Sequence, residues 1–142
     1  MLPQRKLREM TMQFLYSSDL NPGQTAKEGA CLFDSLSVSK KVFHVVQEKL
    51  EAIFPLLESI DAMIAKGAHD YDSRRITRVE YAILRLAVFE LHYDSSVPPK
   101  VAIAEAVRLS RKFATKGGGG FVNAVLDTIY REENAYTRAD SK

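Results

Sequence analysis

Apolar residues recur along most of this chain at three- and four-residue intervals, and no stretch keeps the two-residue alternation of a strand. The pattern predicts an all-α protein of about seven helices. The first runs from Pro3, whose fixed φ suits a first helical position, to Asp19, and "NPGQ" at Asn21 to Gln24 stops it. A weaker segment covers Thr25 to Leu36. A long one follows from Ser39 to Lys66, and Pro55 must kink or split it because proline lacks the helical donor and crowds the preceding turn. Gly67 is placed to cap its end. Beyond the loop "AHDYDSRR", the segment "ITRVEYAILRLAVFELHY", Thr77 to Tyr93, is the most apolar helix. Its Val79, Ala82, Ile83, Leu86, Ala87, Phe89 and Leu91 cover most of the circumference, which predicts a central, buried rod. Arg78, Arg85 and His92 mark its polar edge. Glu90 falls within the apolar arc, and a buried carboxylate needs a partner. The N-terminus of the next helix, entered through Pro98 and Pro99, is the partner expected. The last helix spans Gly119 to Glu133, with Phe121, Val122, Val125, Leu126 and Ile129 as its apolar face. The polar tail "AYTRADSK" is expected to fray.

With 142 residues the chain fits one domain, residues 1–142, large enough for its own hydrophobic core. Its single cysteine, Cys31, forms no intramolecular disulfide and reads as a small buried hydrophobe in a reducing compartment. The N-terminus lacks the apolar run of a secretory signal, and no window approaches the roughly 18 apolar residues of a membrane span. A cytoplasmic protein with no membrane association is expected. The net charge of +2 hides three basic clusters. Arg5, Lys6 and Arg8 form the first; Arg74, Arg75, Arg78 and Arg85 the second; Arg108, Arg111, Lys112 and Lys116 the third. Solvated helix faces explain such clusters as readily as anion-binding patches do.

The most conspicuous local feature is "TKGGGGFVNAVLD", four glycines opening the last helix. It lacks the Lys-Ser/Thr of a Walker loop and the βαβ setting of a dinucleotide fold, so nucleotide binding is not expected. The doublet His69-Asp70 raises a metal-dependent phosphohydrolase, for which His44 with Asp94 or Asp127 nominally completes a ligand set. One such doublet is unremarkable among three histidines and eight aspartates. No catalytic constellation, metal or other cofactor is expected, and binding rather than reaction is the reading.

Four segments together resemble the NusB family of bacterial transcription antitermination factors: "QRKLREMTMQFLYS", "ILRLAVFEL", "VPPKVAIAEAV" and "FVNAVLD". The order and spacing of the last three make the match specific. The resemblance implies two packed helical subdomains. It also implies binding of boxA RNA together with the ribosomal protein NusE, and assembly with RNA polymerase and other Nus factors, chiefly on ribosomal RNA operons. Residue by residue, the family's basic N-terminal arm falls on Arg5, Lys6 and Arg8. Its helix 1 tyrosine falls on Tyr16, and the aromatic opening its last helix falls on Phe121. Glu80, on what reads as an exposed shoulder of the central helix, falls where the family contacts NusE. Ala104 and Ala124 depart from the family pattern, which carries an asparagine and a glycine there.

The chemistry of these residues suits single-stranded RNA, which is held by cations along its phosphates and aromatic faces under its bases. Lys6, Glu9, Gln13 and Tyr16 share one stripe of the first helix by their spacing. Lys116 and the N–H of Gly118 lie where a phosphate meets a helix N-terminus, and the glycine loop is expected to order on RNA. Tyr16 reads equally as a half-buried packing tyrosine, and Phe121 as a helix staple. Two further readings stay open: a helical protein-binding adaptor without RNA affinity, and a homodimer that covers the same face.

Overall fold

A computed structural model describes residues 4–20, 40–69, 76–114 and 118–140, with backbone alone at 118 and 134–140. The described residues contain helices and no strand. They are α1 (Gln4–Leu20), α2 (Lys40–Ile53), α3 (Leu57–Gly67), α4 (Arg78–Val88), α5 (Pro99–Phe113) and α6 (Gly118–Asp140). A 3₁₀ turn, Phe54–Leu56, joins α2 to α3, and a π-helical turn, Phe89–Tyr93, extends α4. The described chain is therefore five continuous helical rods where about seven helices were expected. The expected helix Thr25 to Leu36, and Cys31 within it, lie outside the described residues.

Pro55 splits the long second rod as its chemistry requires. With no N–H to continue the α ladder, the backbone tightens into the 3₁₀ turn and restarts at Leu57. At the far end Gly67 does not cap α3 but is its last residue, buried, with Ala68 as the cap. A Cβ built on Gly67 would stand 2.7 Å from Ile129 Cγ1 and 3.2 Å from the Val125 carbonyl oxygen. The glycine is there because α6 passes too close for any side chain.

Helix α4 is the central rod: it packs against α1, α3, α5 and α6, and Ala82, Ile83, Leu84, Leu86, Ala87 and Val88 are all buried. Thr77 caps it rather than starting it. Thr77 Oγ1 accepts from the Glu80 N–H at 3.1 Å while Glu80 Oε1 accepts from the Thr77 N–H at 3.1 Å, a reciprocal capping box. Arg85 fixes α4 to α3 through a two-pronged pair with Asp61, both bonds 2.9 Å, and reaches Asp19 at the end of α1 at 3.6 Å. Beyond Val88 the helix widens, the Asp94 N–H bonding back to the Phe89 carbonyl at 3.2 Å. Pro98 and Pro99 then serve as cap and first residue of α5. The last helix runs to Asp140, past the expected end at Glu133, so the segment read as a frayed tail is helical up to that residue.

Candidate nucleic-acid interface

The site is assembled where the first turns of α1 meet the flank of α5. Leu7, Met10, Phe14 and Leu15 turn one side of α1 into the core. That orientation leaves Gln4, Arg5, Lys6 and Gln13 exposed, with Glu9 and Tyr16 half-buried. The stripe read from spacing is therefore a surface stripe, with Tyr16 at its end packed against the core. Phe121, near the start of α6, is likewise half-buried and packed on the core.

Arg8 belongs elsewhere. Its side chain is 8% exposed, and its Nε donates to both oxygens of Glu90, at 2.9 and 3.1 Å. Its Nη1 lies 3.6 Å from Glu105, and Lys49 approaches Glu90 at 3.9 Å. The buried carboxylate thus finds a cation from α1 and not the helix N-terminus expected. The same contact withdraws Arg8 from the solvent-facing arm. A fully desolvated guanidinium on a buried carboxylate is not available to a phosphate. Burial drives the Lys49 ammonium below its usual pKa, and Arg8 adds to the effect, while Glu90 and Asp94 oppose it.

Glu80 is also placed differently. It is 6% exposed, and its carboxylate is taken by Thr77, whose hydroxyl approaches Oε1 at 2.9 Å beside the backbone bond. It was expected on an exposed shoulder of the central helix; the capping box turns it inward.

Arg5, Arg108 and Lys112 are bound into a chain of ion pairs across the α1–α5 seam. Arg5 reaches Glu105 at 3.4 Å. Arg108 pairs with Glu105 one turn before it and donates to Glu9 at 2.8 Å. Lys112 donates to the same Glu9 oxygen at 2.9 Å, and its ammonium sits 5.5 Å from the centre of the Phe113 ring. Burial alone would raise the Glu9 pKa, but the hydrogen bonds from Arg108 and Lys112 and their charges outweigh it and hold the carboxyl below its ordinary value. The Arg108 guanidinium, disfavoured by burial, is held charged by Glu105 and Glu9. Lys6 makes no ion pair among the described residues, which leaves it open to an incoming anion. Spacing put Glu9 on the stripe of α1 but gave no sign of its cation partners, and for Glu105 the three-residue step to Arg108 was the one signal available.

Between α5 and α6 lies an open groove of about 580 Å³, with Lys100 and Arg111 on its rim and Ile103, Val107 and Gly119 among its walls. A Cβ on Gly119 would meet Val107 at 3.4 Å and Arg111 at 3.5 Å, whereas Gly120 faces open space. Gly118 begins α6. Lys116 and Gly117 lie outside the described residues, and with them the expected ordering of the glycine loop.

The residues nominated for a phosphohydrolase do not converge. His69 Nδ1 lies 2.9 Å from the Lys66 carbonyl oxygen, His44 pairs with Glu48 at 3.0 Å, and Asp127 pairs with Arg131 at 3.0 Å. Asp70 is outside the described residues. Among the described residues no group of three His, Cys, Asp or Glu side chains is arranged to hold a metal ion, and no helix is long and apolar enough to cross a membrane.

The chain is 32% identical over 135 residues to the transcription antitermination protein NusB of Desulfosudis oleivorans, covering 93% of this chain and 88% of that protein. It is 35% identical over 137 residues to the protein of the same name from Citrifermentans bemidjiense, covering 91% and 94%. Among solved structures it is similar to the antitermination factors NusB and NusE in complex with double-stranded RNA, with a TM-score of 0.78 and 26% identity over 91% of this chain and 96% of that one. It is similar also to T. maritima NusB, with a TM-score of 0.78 and 25% identity over 92% of each chain. The family model described as the NusB family matches residues 5–131, nearly the whole of the helical body just described, and the chain belongs to that family.

Proposed function

We propose that this protein is a transcription antitermination factor that takes boxA RNA together with NusE and joins RNA polymerase and other Nus factors, mainly on ribosomal RNA operons. The observation that carries the reading is the exposed stripe of α1. Arg5, Lys6 and Gln13 lie beside Tyr16 on an outward face, in a chain whose fold matches a NusB–NusE–RNA complex. Cations along phosphates and a ring under a base are what single-stranded RNA requires. Phe121 and the Gly118 backbone at the start of α6 extend the proposed surface, and Lys116 is counted among its cations from sequence.

Residues 1–142 act as one RNA-binding domain in the cytoplasm, its helices forming two packed subdomains. A homodimer would compete with RNA where it covers this face. Glu80 bears on NusE through the first turn of α4 that it caps. Family membership favours a binding factor over a phosphohydrolase.

The test is a titration of boxA and scrambled RNA, with and without NusE, at several salt concentrations. Preference for boxA that strengthens with NusE and weakens with salt, by about 0.7 in log–log slope per phosphate contacted, is the expected result. Equal affinity for both RNAs, with or without NusE, would overturn the proposal.

A further inference from the structure

The surface proposed for RNA contains an anion at its centre. One oxygen of Glu9 accepts from Arg108 at 2.8 Å and from Lys112 at 2.9 Å. The two cations are four residues apart and so share one face of α5. Two cationic donors converging on one anionic oxygen is the arrangement a phosphate oxygen would take up. The Lys112 side chain is 55% exposed, within reach of solvent and of any strand laid along the seam. Arg108 has a second carboxylate, Glu105, and stays paired if Glu9 is lost. Lys112 has Glu9 as its one ion-pair partner among the described residues.

We infer that Glu9 is a built-in counter-anion that occupies Lys112, and in part Arg108, and so sets how tightly and with what salt response this face takes RNA. The inference rests on the RNA-binding reading above. With Glu9 in place, the cations of α5 are neutralised before RNA arrives, and binding falls chiefly to Arg5 and Lys6. Without it, Lys112 is released into the path of the strand and a repelling charge is removed. A purely structural α1–α5 strap would change stability when cut but would leave the number of phosphates engaged unaltered.

The experiment compares wild type, Glu9→Gln, Lys112→Gln and the double variant for binding of a boxA oligoribonucleotide with NusE, across a salt series, after thermal melts of each. Glu9→Gln is expected to bind roughly 5-fold tighter at 0.1 M salt, with a log–log slope more negative by about 0.7, the value of one added phosphate contact. Lys112→Gln alone is expected to bind as wild type does, and in the double variant to abolish the steeper salt slope and most of the gain in affinity. Unchanged or weaker binding by folded Glu9→Gln, or a loss of affinity in Lys112→Gln alone, overturns the inference and leaves the RNA reading standing. The Lys112→Gln arm decides the matter even if Glu9→Gln does not fold. Absence of RNA binding by wild type and every variant overturns the RNA reading itself, and the inference with it.

Discussion

Arg8 and Glu90 stand 82 positions apart in sequence, yet the Arg8 Nε sits 2.9 and 3.1 Å from the two oxygens of the Glu90 carboxylate, inside the protein. The pair joins the first turns of α1 to the π-helical turn that ends the central rod. It also divides the N-terminal basic cluster by function. Arg5 and Lys6 face solvent, whereas Arg8 holds the helix that presents them.

Truncating Arg8 leaves the buried Glu90 carboxylate with only the more distant Lys49, 3.9 Å away, as a cation, and breaking such a buried pair costs up to about 3–5 kcal/mol. Arg8→Ala is expected to fall in that range by chemical denaturation. The double replacement Arg8→Met with Glu90→Leu is expected to recover part of the loss, because it removes the charge pair and keeps apolar volume while leaving Lys49 without Glu90. An Arg8→Ala protein as stable as wild type but deficient in RNA binding would place Arg8 on the RNA surface after all.

The capping box at the head of α4 makes a second, smaller prediction. Thr77→Ala removes the side-chain acceptor for the Glu80 N–H and is expected to cost about 1 kcal/mol. Glu80→Ala removes the reciprocal half and is expected to lower the melting temperature and, by loosening the first turn of α4, to weaken NusE binding together with it. Loss of NusE affinity with an unchanged melt would make Glu80 a direct contact.

Gly67 tests the packing of α3 on α6. An added methyl would meet Ile129 Cγ1 at 2.7 Å, and overpacking of this kind costs about 1–3 kcal/mol. Gly67→Ala is expected to be destabilised accordingly, and the double variant with Ile129→Ala to lose less than the sum of the two single changes. Strict additivity in that cycle would show that the two residues do not compete for the same space.

These residues also mark what sequence could and could not reveal. The centrality of α4, the break at Pro55 and the proline entry to α5 were legible because each depends on local periodicity or on backbone chemistry within a few residues. The exposed positions of Lys6 and Gln13 followed from the same spacing. The partner of Glu90 was not legible, since nothing local distinguishes Arg8 from Arg5 until α1 is docked on α4. Gly67 misled for a related reason: a glycine near a helix end suggests a cap, and only the approach of α6 reveals a packing constraint. Glu80 misled although its signal was local: Thr77 three residues before it, at the head of an apolar run, is the spacing of a capping box, which turns the carboxylate inward. The role of Glu9 required the tertiary seam, where residues 99 and 103 positions away supply its cations.

Glu9 gives the protein a predictable response to acid, independent of RNA. Burial opposes ionisation of its carboxyl, but hydrogen bonds from Arg108 and Lys112 prevail, and the folded pKa lies below the ordinary carboxylate value of 4.5. The folded state therefore binds this proton less readily than the unfolded chain does. Linkage then makes the Glu9 contribution to stability full above pH 4.5 and steadily lost as pH falls through the folded value. Wild type is expected to exceed Glu9→Gln in stability at pH 7, with the difference shrinking below pH 4.5 as the carboxyl takes its proton. Urea titrations of both proteins across the acid range measure it. A difference that persists undiminished at the acid end would mean that the side chain stabilises through packing, and that its charge is not what holds α1 to α5.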